Sequence, residues 1–222
     1  MKRFSRFLPL FAVPLCLSSL AKAQSSWDVN LGFGSAHAGA TGSGIENLNS
    51  SAALASCTPS AADPNCQATP SLGGFFMGIG STLMLQKHYG VSGEISFQPG
   101  KSDYGPLRYR QIFYDVNGVY APINEKKFIL DLQGGIGGAT SSFSVTQSQC
   151  AGTAVCSSST QSVGSSKHFQ LHAGVGLQYY VTEHVFIRPQ FDIHYVPNLT
   201  QQFSSNAVVQ GMVWVGYSFG DR

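Results

Sequence analysis

Arg188 and Asp192 stand four residues apart in the segment Val185-Phe186-Ile187-Arg188-Pro189-Gln190-Phe191-Asp192-Ile193-His194-Tyr195. Apolar and polar residues alternate there, so the spacing puts both charged groups on one face of a strand. Glu94, Asp115, Asp131 and His172 occupy the polar face of other alternating segments. One cation, four or more carboxylates and an imidazole gathered on one side of a sheet can do three kinds of chemistry. They can form a hydrogen-bonded polar network in an enclosed interior. They can line a narrow ion path that opens when Arg188 changes partner. They can also supply acid–base groups to a reaction. A charge withdrawn from water requires a partner, which favours the network.

Other reactive residues are less organised. Cys57 and Cys66 share one loop, and Cys150 and Cys156 share another. In an exported chain two close pairs read as two local disulfides, Cys57–Cys66 and Cys150–Cys156. The spacings lack a nearby His pair, so no metal site is expected. His88 and His184 fall in short turns. His168 and His194 lie toward the long-loop end, with Ser165, Ser166 and Asp192 near them in sequence. Serine is so abundant there that no catalytic set is assigned, and a non-enzymatic protein is expected. The glycines at 134, 135, 137, 138, 174 and 176 sit in strand-like alternation with no helix after them. That excludes a nucleotide-binding loop, and no cofactor is expected.

Eight alternating segments must position these groups. They run from Trp27 to Gly34, from about Leu72 to Gln86, from Val91 to Phe97, and around Gln111 to Tyr120. The rest begin at Phe128, at Phe169 (ending near Val181), at Val185 and at Val209. No long segment has helical period. Pro189, with no ladder donor, is expected to mark a bulge. Short connectors (87–90, 122–127, 182–184) alternate with long ones (35–71, 99–107, 148–166, 197–206), the pattern of an up-and-down meander. The two longest are Ser-, Thr-, Ala- and Gly-rich and read as spacers. Surface recognition by these loops is the expected route to an extracellular ligand.

The polar face decides which side meets water. A water-facing sheet carries many Lys and Glu. Here the polar face carries Gly, Ser, Gln and Asn with isolated charges, and charged residues are only 11% of the chain, against about a quarter in soluble domains. The apolar face is therefore expected to meet lipid, with the polar face lining a narrow interior that side chains fill. Aromatics near the segment ends (Trp27, Tyr104, Tyr109, Tyr120, Phe128, Tyr179, Tyr195, Tyr217, Phe219) suit interfacial girdles. Lipid tolerates no open sheet edge, so the sheet must close.

Lys2, Arg3 and Arg6, then an apolar stretch to Leu20, then Ala21-Lys22-Ala23, have the form of a secretory signal peptide. Residues 1–23 are expected to be a cleaved leader and 24–222 the barrel domain. Without the leader nine basic residues face 11 acidic ones, and the net charge moves from +2 to −2. That balance excludes a nucleic-acid partner.

From about Trp27 to Phe219 the chain resembles the small eight-stranded outer-membrane barrels, such as the transmembrane domain of outer membrane protein A. The resemblance rests on the alternation, the strand count and the last strand, Val213-Trp214-Val215-Gly216-Tyr217-Ser218-Phe219. It implies an all-β, eight-stranded antiparallel up-and-down transmembrane β-barrel in a Gram-negative outer membrane. Short turns would face the periplasm and long loops the outside. The insertion machinery would read the terminal aromatic residue. The expected role is structural or surface-interacting, with outer-membrane lipid as partner. A small gated pore and a lipid-modifying enzyme are the alternatives.

Overall fold

Successive side chains on a strand point to opposite faces, and this chain alternates apolar-out with polar-in along nearly every long segment. The computed structural model describes residues 26–151 and 155–220, with side chains described outside 148–157. The leader expected over 1–23 lies outside the described residues. The strands are β1 (Ser26–His37), β2 (Gly44–Glu46), β3 (Ser56–Cys57), β4 (Cys66–Ala68), β5 (Phe75–Met84) and β6 (Tyr89–Phe97). They continue with β7 (Ser102–Tyr104), β8 (Leu107–Asn124), β9 (Phe128–Ala151), β10 (Val155–Tyr180), β11 (Val185–Tyr195) and β12 (Ala207–Phe219).

Eight of them form an antiparallel ring in the order β1, β5, β6, β8, β9, β10, β11, β12. The β6–β8 ladder joins the two halves. The β12–β1 ladder, from Trp27↔Phe219 to His37↔Val209, closes the circle. Each strand of the ring thereby has a neighbour on both sides, as hydrocarbon requires. This is the eight-stranded antiparallel up-and-down barrel expected from the alternation.

The outer wall is apolar. Val116 is 65% exposed and Ile136 59%, and Leu31, Ile79, Leu171 and Val213 share that face. Exposed apolar surface on this scale marks contact with lipid rather than water. On β10 the outward apolar run extends from Phe169 to Tyr179. Ten residues rise about 33 Å, or about 25 Å along the membrane normal at a tilt of about 40°. At the short-turn end aromatic rings pair across strands: Trp27 on Phe219 at 5.2 Å, Tyr89 on Tyr120 at 5.2 Å, and Phe128 on Tyr179 at 5.1 Å.

Four sequence expectations change. Tyr104 and Tyr109 do not join a girdle; both are buried in an apolar cluster inside the barrel mouth. Tyr109 falls on the inward parity of β8, and Tyr104 pairs beside it in the β7–β8 hairpin. Pro189 makes no bulge. It pairs with Val213 in unbroken register, and the β10 ladder merely lacks pairs between Gly176↔Gln190 and Tyr179↔Ile187. The segment 148–166 is not a spacer loop, because β9 and β10 continue as a paired ribbon well past the apolar band. Ser, Thr and Gln on both faces of that ribbon give no hydrophobic period to read, while backbone pairing holds it. The first long loop likewise folds: β2 pairs with β3 and β4, and a Cys57–Cys66 disulfide clips that small sheet. The Cys150–Cys156 pair lies outside the described side chains.

Candidate functional site

The interior is built in three layers, and inward parity assigns each residue to one. Toward the short turns, Met84, Val119, Ala121, Ile129, Tyr180 and Phe186 form an apolar cluster. Toward the long loops, a larger cluster holds Phe76, Tyr109, Phe113, Met212 and Trp214 together with Leu199 and Phe203. The last two come from the β11–β12 connector, which folds down into the mouth and leaves both fully buried. Tyr104 Oη donates to the Gln202 carbonyl at 2.5 Å, tying β7 to that connector.

Between the two clusters lies the polar layer. Arg188 on β11 reaches across the lumen to Glu94 on β6, the strand opposite it in the ring, with Nη2 2.8 Å from Oε1. Its Nη1 is 4.0 Å from Asp131. The guanidinium lies 5.5 Å from the centre of the Trp214 ring. That ring rests in a trough made by Gly32 and Gly78, where an added Cβ would fall 2.6 and 2.5 Å from its atoms. Gln190 Nε2 donates to both Glu94 and Asp192, each at 2.9 Å.

His172 joins the rest. Its Nε2 lies 3.0 Å from Asp192 Oδ1. Its Nδ1 lies 2.7 Å from Asn117 Oδ1 and 3.6 Å from Asp115 Oδ1. Asn117 Nδ2 in turn donates to Asp115 at 2.5 Å, which leaves Asn117 Oδ1 as an acceptor toward the imidazole. Both ring nitrogens therefore face acceptors. Arg188, Asp192, Asp131, Glu94, Asp115 and His172, singled out from sequence, are brought together here, all almost completely buried.

Sequence reasoning put His194 on the inward face but did not single out the glutamines. Gln133 donates to Glu94 at 3.5 Å, Gln170 to Asp115 at 3.4 Å, and Gln178 to Asp28 at 3.2 Å. His194 pairs with Gln210 at 2.9 Å and stacks on Phe113 and on His172, at 4.6 and 4.9 Å between centroids. Their inward parity was a usable signal, but which strands face each other across the lumen is set by the ring's register.

Two groups of potential metal ligands lie close together among the described residues. Asp115, His172 and His194 each bring one donor atom within 4.8 Å of the others. The two imidazoles, however, lie nearly parallel at 23°, so their in-plane lone pairs do not converge, and both nitrogens of His172 are engaged. Glu46, Cys57 and Cys66 also lie close, but the disulfide consumes both sulfurs. Asp192 and His194 point into the lumen, whereas Ser165 is exposed and Ser166 Oγ accepts from Gln202 at 2.7 Å. Asp192 and His194 therefore do not meet Ser165 or Ser166, and His168 Nε2 has no hydrogen-bond partner.

A family model described as the outer membrane protein beta-barrel domain matches residues 9–219. Among solved structures, Ail, the attachment invasion locus protein of Yersinia pestis, in complex with the heparin analogue sucrose octasulfate, matches with a TM-score of 0.50 at 13% identity. That match covers 88% of this chain and 99% of Ail. The N-terminal β-barrel domain of Pseudomonas aeruginosa OprF matches at 0.48 and 12% identity, over 89% and 98% of the two chains. Neisserial surface protein A matches at 0.46 and 13%, over 88% and 99%. Identities this low speak to the fold alone. No curated protein sequence matches the chain.

Proposed function

The chain belongs to the outer membrane protein β-barrel family, and from that premise we propose that it is a non-catalytic barrel whose interior is a plug and whose work is done by its extracellular loops. One observation supports this reading: an apolar cluster lies on each side of the polar layer. Arg188, Glu94, Asp131, Asp115, Asp192 and His172 then serve to fill and brace the barrel rather than to pass ions or react. A gate would require the Arg188–Glu94 contact and both apolar clusters to open together.

On this reading residues 1–23 are removed on export, and the insertion machinery reads the strand ending at Phe219. Outer-membrane lipid surrounds the wall, and an extracellular ligand meets the loops. The ordered first loop supports the last point, because β2, β3, β4 and the disulfide hold a defined surface rather than a tether. The test uses cells displaying the full chain and cells displaying a variant trimmed of residues 36–70, each applied to surfaces coated with matrix protein or sulfated glycan. Adhesion lost on trimming is expected. Equal adhesion, with equal amounts of folded barrel in the membrane, overturns a surface-interaction role for that loop.

A further inference from the structure

The outer wall is notched toward its short-turn end. Tyr89, Gly118, Tyr120, Leu132 and Gly134 face outward around a cavity of about 440 Å³. Gly118 pairs with Gly134 across the β8–β9 ladder. An added Cβ at Gly134 would meet nothing within 4 Å, and one at Gly118 only the Gly134 carbonyl at 3.8 Å. Outward positions next to them carry Val116, Ile136 and Leu132. The wall is therefore dented by the height of a side chain where lipid would lie against it.

Cations gather below the notch. The β5–β6 turn carries Lys87, and the β8–β9 turn carries Lys126 and Lys127, all exposed. β8 has an extra residue between Tyr120 and Ile123. Such a bulge bends the end of a strand, and beyond it Asn124 Nδ2 donates to the Lys87 carbonyl at 2.5 Å. The Ala121 N–H donates to the His88 carbonyl at 2.8 Å, and His88 Nδ1 lies 2.6 Å from the Ala121 carbonyl. The two turns are thus fastened together, with three ammonium groups on one arc of the rim. Glu125 is the acidic residue of these turns, and among the described residues none of the three lysines makes an ion pair. Tyr89 and Tyr120, stacked at 5.2 Å, stand at the foot of the notch. Phe128, beside Lys127, and Gly134 are six residues apart. That is a rise of about 20 Å along the strand, or about 15 Å along the membrane normal at a tilt of about 40°. It matches about half of the hydrocarbon thickness, the depth of one leaflet.

A cationic rim with an apolar seat one leaflet deep suits an amphiphile with a negative head. A second barrel fits less well, because a two-fold copy would set its own three lysines against these. We propose that the notch and the lysines below it form a site for an anionic phospholipid of the short-turn leaflet. Its phosphate lies at Lys87, Lys126 and Lys127, and one acyl chain lies over Gly118 and Gly134. This rests on the membrane reading of the wall above and names the class of lipid and its seat.

The test refolds the full chain in lipid nanodiscs of equal parts phosphatidylglycerol and phosphatidylcholine. Native mass spectrometry then counts the lipids that the released barrel retains, and a heat-modifiability gel shows that each variant is folded. Retained phosphatidylglycerol is expected to exceed its share at least about fivefold, the factor that one lysine near an anionic surface supplies. Lys87→Gln, Lys126→Gln and Lys127→Gln together return the ratio to that of the bilayer. Gly134→Leu, which fills the notch and leaves the lysines in place, lowers the number of lipids retained. Retention in bilayer proportion by the parent chain overturns the proposal, as does enrichment that survives either change. Paired barrels that Gly134→Leu separates assign the notch to a second copy and also overturn it. If retention follows the bilayer while Val116→Arg still destabilises the barrel in vesicles, the lipid site falls and the lipid-facing wall stands.

Discussion

Replacing Arg188 with Met keeps most of the side chain's bulk against Trp214 and removes only its charged end. Glu94 then loses the donor 2.8 Å from its Oε1 and keeps only neutral amide partners, Gln190 at 2.9 Å and Gln133 at 3.5 Å. Asp131, 4.0 Å from the guanidinium, loses its nearby positive charge as well. Both carboxylates are almost wholly buried. Removing one partner of a buried ion pair costs about 3–5 kcal/mol, because the remaining charge is left uncompensated. The cation–π contact with Trp214 adds about 2 kcal/mol when desolvated. Arg188→Met should therefore lower unfolding stability by at least about 3 kcal/mol. The assay is reversible urea unfolding in lipid vesicles, followed by tryptophan fluorescence and by the gel shift that distinguishes folded from unfolded barrel. The double variant Arg188→Met with Glu94→Leu removes the carboxylate in direct contact with the guanidinium, leaves Asp131, and should recover part of the loss. A single variant within about 1 kcal/mol of the parent would refute the buried-pair account. So would a double variant at least as unstable as the single.

Val116→Arg puts a charge on the outer wall, and should cost about 2–4 kcal/mol in the same unfolding experiment if that face meets the bilayer midplane; an unchanged midpoint would contradict the orientation of the wall. Gly78→Ala sets a Cβ 2.5 Å from the Trp214 ring and should destabilise by about 1–3 kcal/mol through overpacking. Combining it with Trp214→Leu should relieve that strain. Cys57→Ser opens the loop of Cys57 and Cys66, nine residues apart. Loop-closure entropy for that separation is about 2–3 kcal/mol. Limited proteolysis should then cut within 44–68 while the barrel core stays intact.

The barrel was legible because its alternation is nearly unbroken where one face meets lipid. Phe169 to Tyr179 on β10 and Val185 to Tyr195 on β11 could be assigned face by face from sequence. The upper ribbon was not legible, since Ser157 to Ser166 has no apolar face whose period could mark it as strand. Parity also put Arg188, Asp192 and His172 on one side, yet it could not say that Arg188 would cross to Glu94. That contact depends on the stagger between strands far apart in sequence, which only the closed ring fixes. Phe76, Phe113, Phe186 and Trp214 carry inward parity too. A rule that polar residues fill the lumen leaves out these buried rings, which lie on either side of the polar layer.

On the proposed reading the barrel interior is filled and sealed. Conductance of the refolded chain in planar lipid bilayers tests it most directly. No stepwise current is expected from the parent protein or from Arg188→Ala, because both apolar clusters remain in place. Current is expected only after residues of both clusters are truncated, as in Phe186→Ala combined with Phe203→Ala and Phe113→Ala. Discrete, reproducible channels from the unmodified chain, altered by Arg188→Ala, would contradict it and make the lumen a gated path.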